Sequence, residues 1–149
     1  MATPLLPPDF KEFLKLLNAN HVEYLLIGGY AVGYYGYVRA TADMDVWIAS
    51  HFANASSVVK ALREFGFDLP GSTTELFLKP DNVARMGTPP FRIEVLTSIS
   101  GVAFAEAYAE RVTDTIDEVI VSIISLRHLK INKKASGRLK DLADLEHLP

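Results

Sequence analysis

Apolar residues recur along this chain with two periods. Phe10, Phe13, Leu14, Leu16 and Leu17 share one face of a helix that Pro7-Pro8-Asp9 opens and that runs to about Asn18. Tyr24-Leu25-Leu26-Ile27 is an unbroken apolar run and predicts a buried strand. Gly28-Gly29 breaks it, and a short apolar helix follows over roughly Tyr30 to Tyr35, ending at Gly36. Val46-Trp47-Ile48 completes a second strand. Cap residues over Ser50 to Asn54 precede a helix from about Ala55 to Phe65 that stops at Gly66, with Val58, Val59, Leu62 and Phe65 facing inward. Pro70-Gly71-Ser72 predicts a turn. Thr74 to Leu78 and Val83 to Met86 read as short strands joined by Lys79-Pro80-Asp81-Asn82. Gly87-Thr88-Pro89-Pro90 turns into a strand over Phe91 to Leu96. Ser100 to Tyr108 predicts a helix. Arg111-Val112-Thr113 and Val119 to Ser122 predict strands around a turn at Asp117. Gly137 breaks a basic helix, and Leu139 to Leu148 forms the last one.

This order predicts an α/β (α+β) fold, a short mixed β-sheet flanked by helices, with further helices at the C-terminus. At 149 residues the chain is read as a single domain, 1–149, large enough for its own core. Nothing approaches the ~20 apolar residues of a membrane span. The N-terminal MATPLLPPDF lacks the basic and apolar regions of a leader, which predicts a cytoplasmic protein. With no cysteine, disulfides, thiolate zinc sites and a cysteine nucleophile are excluded. A net charge of −3 gives no global basic field for nucleic acid. His21, His51, His128 and His147 show no metal-ligand spacing.

The chemistry concentrates in Tyr24 to Ile48. Side chains alternate across a strand, so Asp43 and Asp45 project to one face while Met44 and Val46 enter the core. Two carboxylates that close repel unless a cation sits between them. Magnesium takes one or two carboxylates plus water and substrate phosphates. Gly28 and Gly29 let the backbone approach a ligand closely, and the helix after them presents N–H groups suited to phosphate. Glu94, the sole acid on its strand, is either a partner of Arg92 on the same face, a third metal ligand, or a base for an incoming hydroxyl. Residues 126–140 hold six Lys or Arg and no acid. Lys130, Lys133 and Lys134 fall on neighbouring helical turns, as a solvated basic face or as a cradle for triphosphate or an acidic acceptor.

GGYAVGYYGYVRATADMD resembles the nucleotidyltransferase-fold superfamily, with its Gly-Gly turn, Asp-x-Asp and later strand carboxylate. More closely, it resembles the small bacterial and archaeal nucleotidyltransferases, relatives of the lincosamide-modifying enzymes and of abortive-infection-type toxins. The ending LKINKKASGRLKDLADLEHL extends the likeness to nearly the whole chain. Two positions depart from the pattern: Tyr35 stands where many members have His, and Glu94 where Asp is usual. The resemblance implies a nucleotidyltransferase that uses Mg²⁺ (or Mn²⁺) and an NTP substrate such as ATP. Asp43, Asp45 and Glu94 would be catalytic and metal-binding. Gly28, Gly29, Arg39, Thr41, Lys130, Lys133 and Lys134 would be nucleotide-binding. The acceptor is left open among a small molecule, tRNA and protein. Two alternatives stand beside this reading: a toxin component paired with a neutralising antitoxin, and a nucleotide-binding module of the same fold without catalysis. A homodimer is the other assembly expected. Asp141 and Asp144 are expected to cap the last helix.

Overall fold

The all-apolar strand β1 (Tyr24–Ile27) is buried at every position and lies inside the sheet. The structure, a computed structural model, describes residues 6–67, 73–88 and 90–149. Helix α1 (Pro8–Ala19) precedes β1 and packs Phe10, Phe13, Leu14 and Leu17 into the core. Helix α2 (Gly28–Tyr34) begins directly at the glycine pair. Strand β2 (Asp43–Ile48) then returns antiparallel to β1. Helix α3 (Phe52–Glu64) starts three residues earlier than the caps predicted, because His51 takes the cap and its Nδ1 accepts from the Asn54 N–H at 3.3 Å.

The predicted strand over Thr74 to Leu78 is instead the single-turn helix α4 (Thr73–Leu76). The Thr74 and Glu75 carbonyls accept from the Phe77 and Leu78 N–H groups, and this turn delivers Phe77 into the core. The alternating Leu76 and Leu78 imitated a strand. The predicted turn at Pro70-Gly71-Ser72 lies outside the described residues, as does Pro89 of the next one. Strands β3 (Val83–Met86) and β4 (Arg92–Leu96) follow as expected. The helix predicted from Ser100 begins only at α5 (Phe104–Ala109). Gly101 stands at φ +76° against Ala135, a conformation no helix accepts, and Ile99 bridges Val102 in a tight turn. Strands β5 (Val112–Ile116) and β6 (Val119–Ile123), then helices α6 (Leu126–Ser136) and α7 (Leu139–His147), complete the chain.

The six strands form one mixed sheet in the order β3-β4-β2-β1-β6-β5. β1 runs parallel to β6 and β2 parallel to β4, while β3–β4 and β5–β6 are antiparallel pairs. The apolar core contains Trp47, Tyr24, Phe10 and Phe13, all essentially without solvent exposure. This order sets the acid-bearing strands β2 and β4 side by side, with the glycine turn leaving β1 next to them.

Candidate active site

Strand register builds the site. Asp45 lies opposite Ile27 on β1 and beside Glu94 on β4, and Glu94 lies opposite Arg85 on β3. One row across the sheet therefore reads Asp45, Glu94, Arg85. The next row sets Asp43 beside Arg92. Met44, Val46, Ile93 and Val95 are buried on the other face, and that burial fixes which side the charges take.

The three acids share this face but have different partners. Asp43 accepts from Arg92 Nη2 at 3.2 Å. Glu94 accepts from Arg85 Nε at 3.0 Å, with Arg92 Nε at 3.7 Å from the same oxygen. Asp45 is within hydrogen-bonding reach of Glu94, yet its Oδ1 is enclosed without a partner. Burial, with the charges of Glu94 and Asp43, pushes the Asp45 carboxyl up to about 6, and the Lys140 charge opposes the rise.

The glycine pair is packed tightly against this row. Gly28 adopts φ +68°, and a Cβ there would run into the Asp45 carboxylate. A Cβ on Gly29 would stand 2.7 Å from Thr41 Oγ1. Thr41 in turn donates to the Asp43 carbonyl at 3.3 Å, so it fixes the loop that leads into β2. Both glycines are required where backbone, loop and carboxylate converge, before any ligand is considered.

The C-terminal helices place the basic residues differently from a single cradle. Lys133 turns inward, 4% exposed, and donates to Asp141 Oδ1 at 2.8 Å, with Asp144 Oδ2 at 3.0 Å. Lys130 donates to the Pro149 carbonyl, and Lys134 is exposed with no bond among the described residues. Asp141 and Asp144 are not caps: Arg138 occupies the cap position of α7 and its side chain makes no capping bond, and both acids are buried. Asp141 also accepts from Ser136 and from Arg138 Nε. Burial pushes the Asp141 carboxyl up, but the bonds from Lys133, Ser136 and Arg138 outweigh it and hold the group down at about 2. Asp144 takes a two-pronged bond from Arg39 at 2.8 and 2.9 Å. Arg39 thereby ties the α2–β2 loop to α7. Tyr35 donates to the Ile124 carbonyl at 2.7 Å, anchoring α2 to the end of β6.

Two open lobes meet at Asp45. One, about 380 Å³, lies between the glycine turn and the α6–α7 pair, with Gly28, Gly29, Lys133, Ser136 and Lys140 in its walls. The other, about 630 Å³, is bounded by the 40–43 loop, Arg85, Glu94 and Lys140. Lys130 and Lys134 line neither lobe. Sequence reasoning passed over Arg85 and Lys140. Lys140 sits in the GRLKD ending directly before Asp141, and its place in the cleft follows from how α7 packs, which the sequence does not show.

The donor set fits one hard divalent cation. Asp45 carries an unpartnered oxygen next to a second carboxylate, and one or two carboxylates suffice for magnesium when phosphates complete its shell. Asp43 is turned to Arg92, and among the described residues no group of three or more acid or imidazole side chains is arranged to hold a metal ion. Asp45 and Glu94, rather than all three acids, would hold it.

The mixed six-stranded sheet flanked by helices has a nucleotidyltransferase-like fold. The solved structure of an antigenic nucleotidyltransferase-like protein from Paracoccidioides brasiliensis is similar, with a TM-score of 0.55 and 19% identity over 96% of this chain and 76% of that one. No family model and no curated protein matches the sequence. Among the described residues, no helix is long and apolar enough to cross a membrane.

Proposed function

We propose that this chain is a divalent-metal-dependent nucleotidyltransferase that moves an NMP group from an NTP to an acceptor hydroxyl. The observation that carries the reading is the Asp45–Glu94 pair, two adjacent carboxyls at the junction of two lobes, one oxygen of which has no partner. Like charges so placed in a fold are costly unless a cation or a proton is shared between them. The lobe beside Gly28 and Gly29 suits the NTP, because side-chain-free backbone leaves room for its phosphates. The second lobe would take the acceptor. The acceptor oxygen attacks the α-phosphorus, the bond from that phosphorus to the α–β bridging oxygen breaks, and pyrophosphate leaves. Glu94 or Asp45 would accept the hydroxyl proton. A bound metal would supply charge neutralisation at the α-phosphoryl oxygens. Thr41 and Arg39 would act through the loop they fix rather than by touching the nucleotide.

A second reading is favoured by one observation. Arg92 on Asp43 and Arg85 on Glu94 neutralise two of the three acids from within the chain, as a nucleotide-binding module without catalysis would tolerate. One experiment separates the two. Each α-labelled NTP is incubated with the protein, Mg²⁺ or Mn²⁺, and cell extract. Label appearing on an acceptor, and absent with Asp45→Asn, supports transfer. NTP bound but never transferred supports the module.

A further inference from the structure

Five cationic side chains, Arg39, Arg85, Lys133, Arg138 and Lys140, line the two lobes. Four are already committed. Arg39 is held by Asp144, Lys133 by Asp141 and Asp144, Arg138 by Asp141, and Arg85 by Glu94. Lys140 is exposed and has no hydrogen bond or ion pair among the described residues. It lines both lobes, and its charge reaches the Asp45 carboxyl where they meet. Its own helix does not explain it. Lys140 stands in the first turn of α7, where the helix dipole disfavours a cation.

We infer that Lys140 is a catalytic residue whose ammonium group meets the non-bridging oxygens of the phosphoryl group being transferred, at the boundary between the nucleotide and acceptor lobes. The inference rests on the proposed transfer reaction and assigns it a group that the acid row does not supply. As the acceptor oxygen bonds to the α-phosphorus and the bond to pyrophosphate breaks, negative charge gathers on those oxygens. A cation already in place there stabilises the transition state more than the ground state. Lys140 donates hydrogen bonds and gives up no proton. The geometry also separates it from Lys133, whose charge is spent on two buried aspartates, and from Lys130 and Lys134, which lie off the cleft.

The test compares wild type, Lys140→Met, Lys140→Arg and the distant Lys60→Met on α3. Three readouts are taken: the initial rate of label transfer from α-labelled NTP in extract with Mn²⁺, ATP affinity by calorimetry, and melting temperature. Lys140→Met is expected to lower the rate about 100-fold, with ATP affinity changed by less than about threefold. Its melting temperature should stay the same or rise, because a cation leaves the first turn of a helix. Lys140→Arg should recover about a tenfold part of the loss, and Lys60→Met should match wild type. A Lys140→Met rate within about threefold of wild type overturns the assignment while leaving the transfer reaction standing. A rate loss that comes with a lower melting temperature and is not relieved by Lys140→Arg also overturns it. A wild-type protein that binds ATP but transfers no label defeats the transfer reading itself, and the catalytic role falls with it.

Discussion

Asp45 is held in the fold at a cost. Its carboxyl is pushed up to about 6 by burial and by the neighbouring Glu94 and Asp43, above the ordinary value of 3.8. A folded-state pKa above the unfolded one means the native protein binds the extra proton. Without metal, stability should therefore fall as pH rises from about 4 to about 6. Asp45→Asn should remove that slope and stabilise the metal-free protein above about pH 7 by about 3 kcal/mol. Urea titrations in EDTA at two pH values measure this. The opposite ordering, a mutant less stable than wild type at the higher pH, would show that the carboxylate is well accommodated without a cation. Asp141 titrates in a different window. Its pKa is held down at about 2, so its contribution is present above the unfolded value and lost as pH falls from about 4 towards 2. The two effects do not overlap, and one acid titration of each variant separates them.

Elements carry the site by being tied to one another. Lys133, Asp141, Asp144 and Arg39 join α6, α7 and the α2–β2 loop through ion pairs that are almost wholly enclosed at their Lys and Asp ends. Lys133→Met leaves two buried carboxylates short of a partner and should cost about 3–5 kcal/mol. Lys134→Gln, on the same helix but exposed, should stay within about 0.5 kcal/mol of wild type. Equal effects of the two, by chemical denaturation, would contradict the buried arrangement. The glycine turn and the loop are tied as closely. Gly29→Ala puts a methyl group against Thr41, so its cost should be partly relieved by Thr41→Gly. A double-mutant cycle should show coupling of about 1 kcal/mol, and strict additivity would place Thr41 elsewhere.

Much of the whole molecule was legible in the sequence, and for stated physical reasons. Strand alternation placed Asp43 and Asp45 on the face of β2 opposite Met44 and Val46, and Glu94 on the face of β4 opposite Ile93 and Val95; that the three acids share one face follows from the pairing of β2 with β4. Gly137, at φ +66°, marked the break between the last two helices. What stayed hidden depends on which strand or helix lies beside which. Arg85 meets Glu94 only through the β3–β4 register, nine residues apart in sequence. Lys133 looked like a member of a solvent-facing basic stripe, and nothing local says that Asp141 and Asp144 fold back beneath it. The strand read at Thr74 to Leu78 failed because a single helical turn and a short strand bury similar residues. The measurement that tests the account most directly is a melting curve with saturating Mn²⁺ and each NTP, for wild type and Asp45→Asn. At a hundredfold excess over Kd, binding should add about 2.7 kcal/mol, a rise of about 5–10 °C for a chain of this size. Asp45→Asn should lose most of that rise while starting from a higher metal-free melting temperature. A wild-type melting temperature unmoved by any combination of metal and NTP would contradict the account.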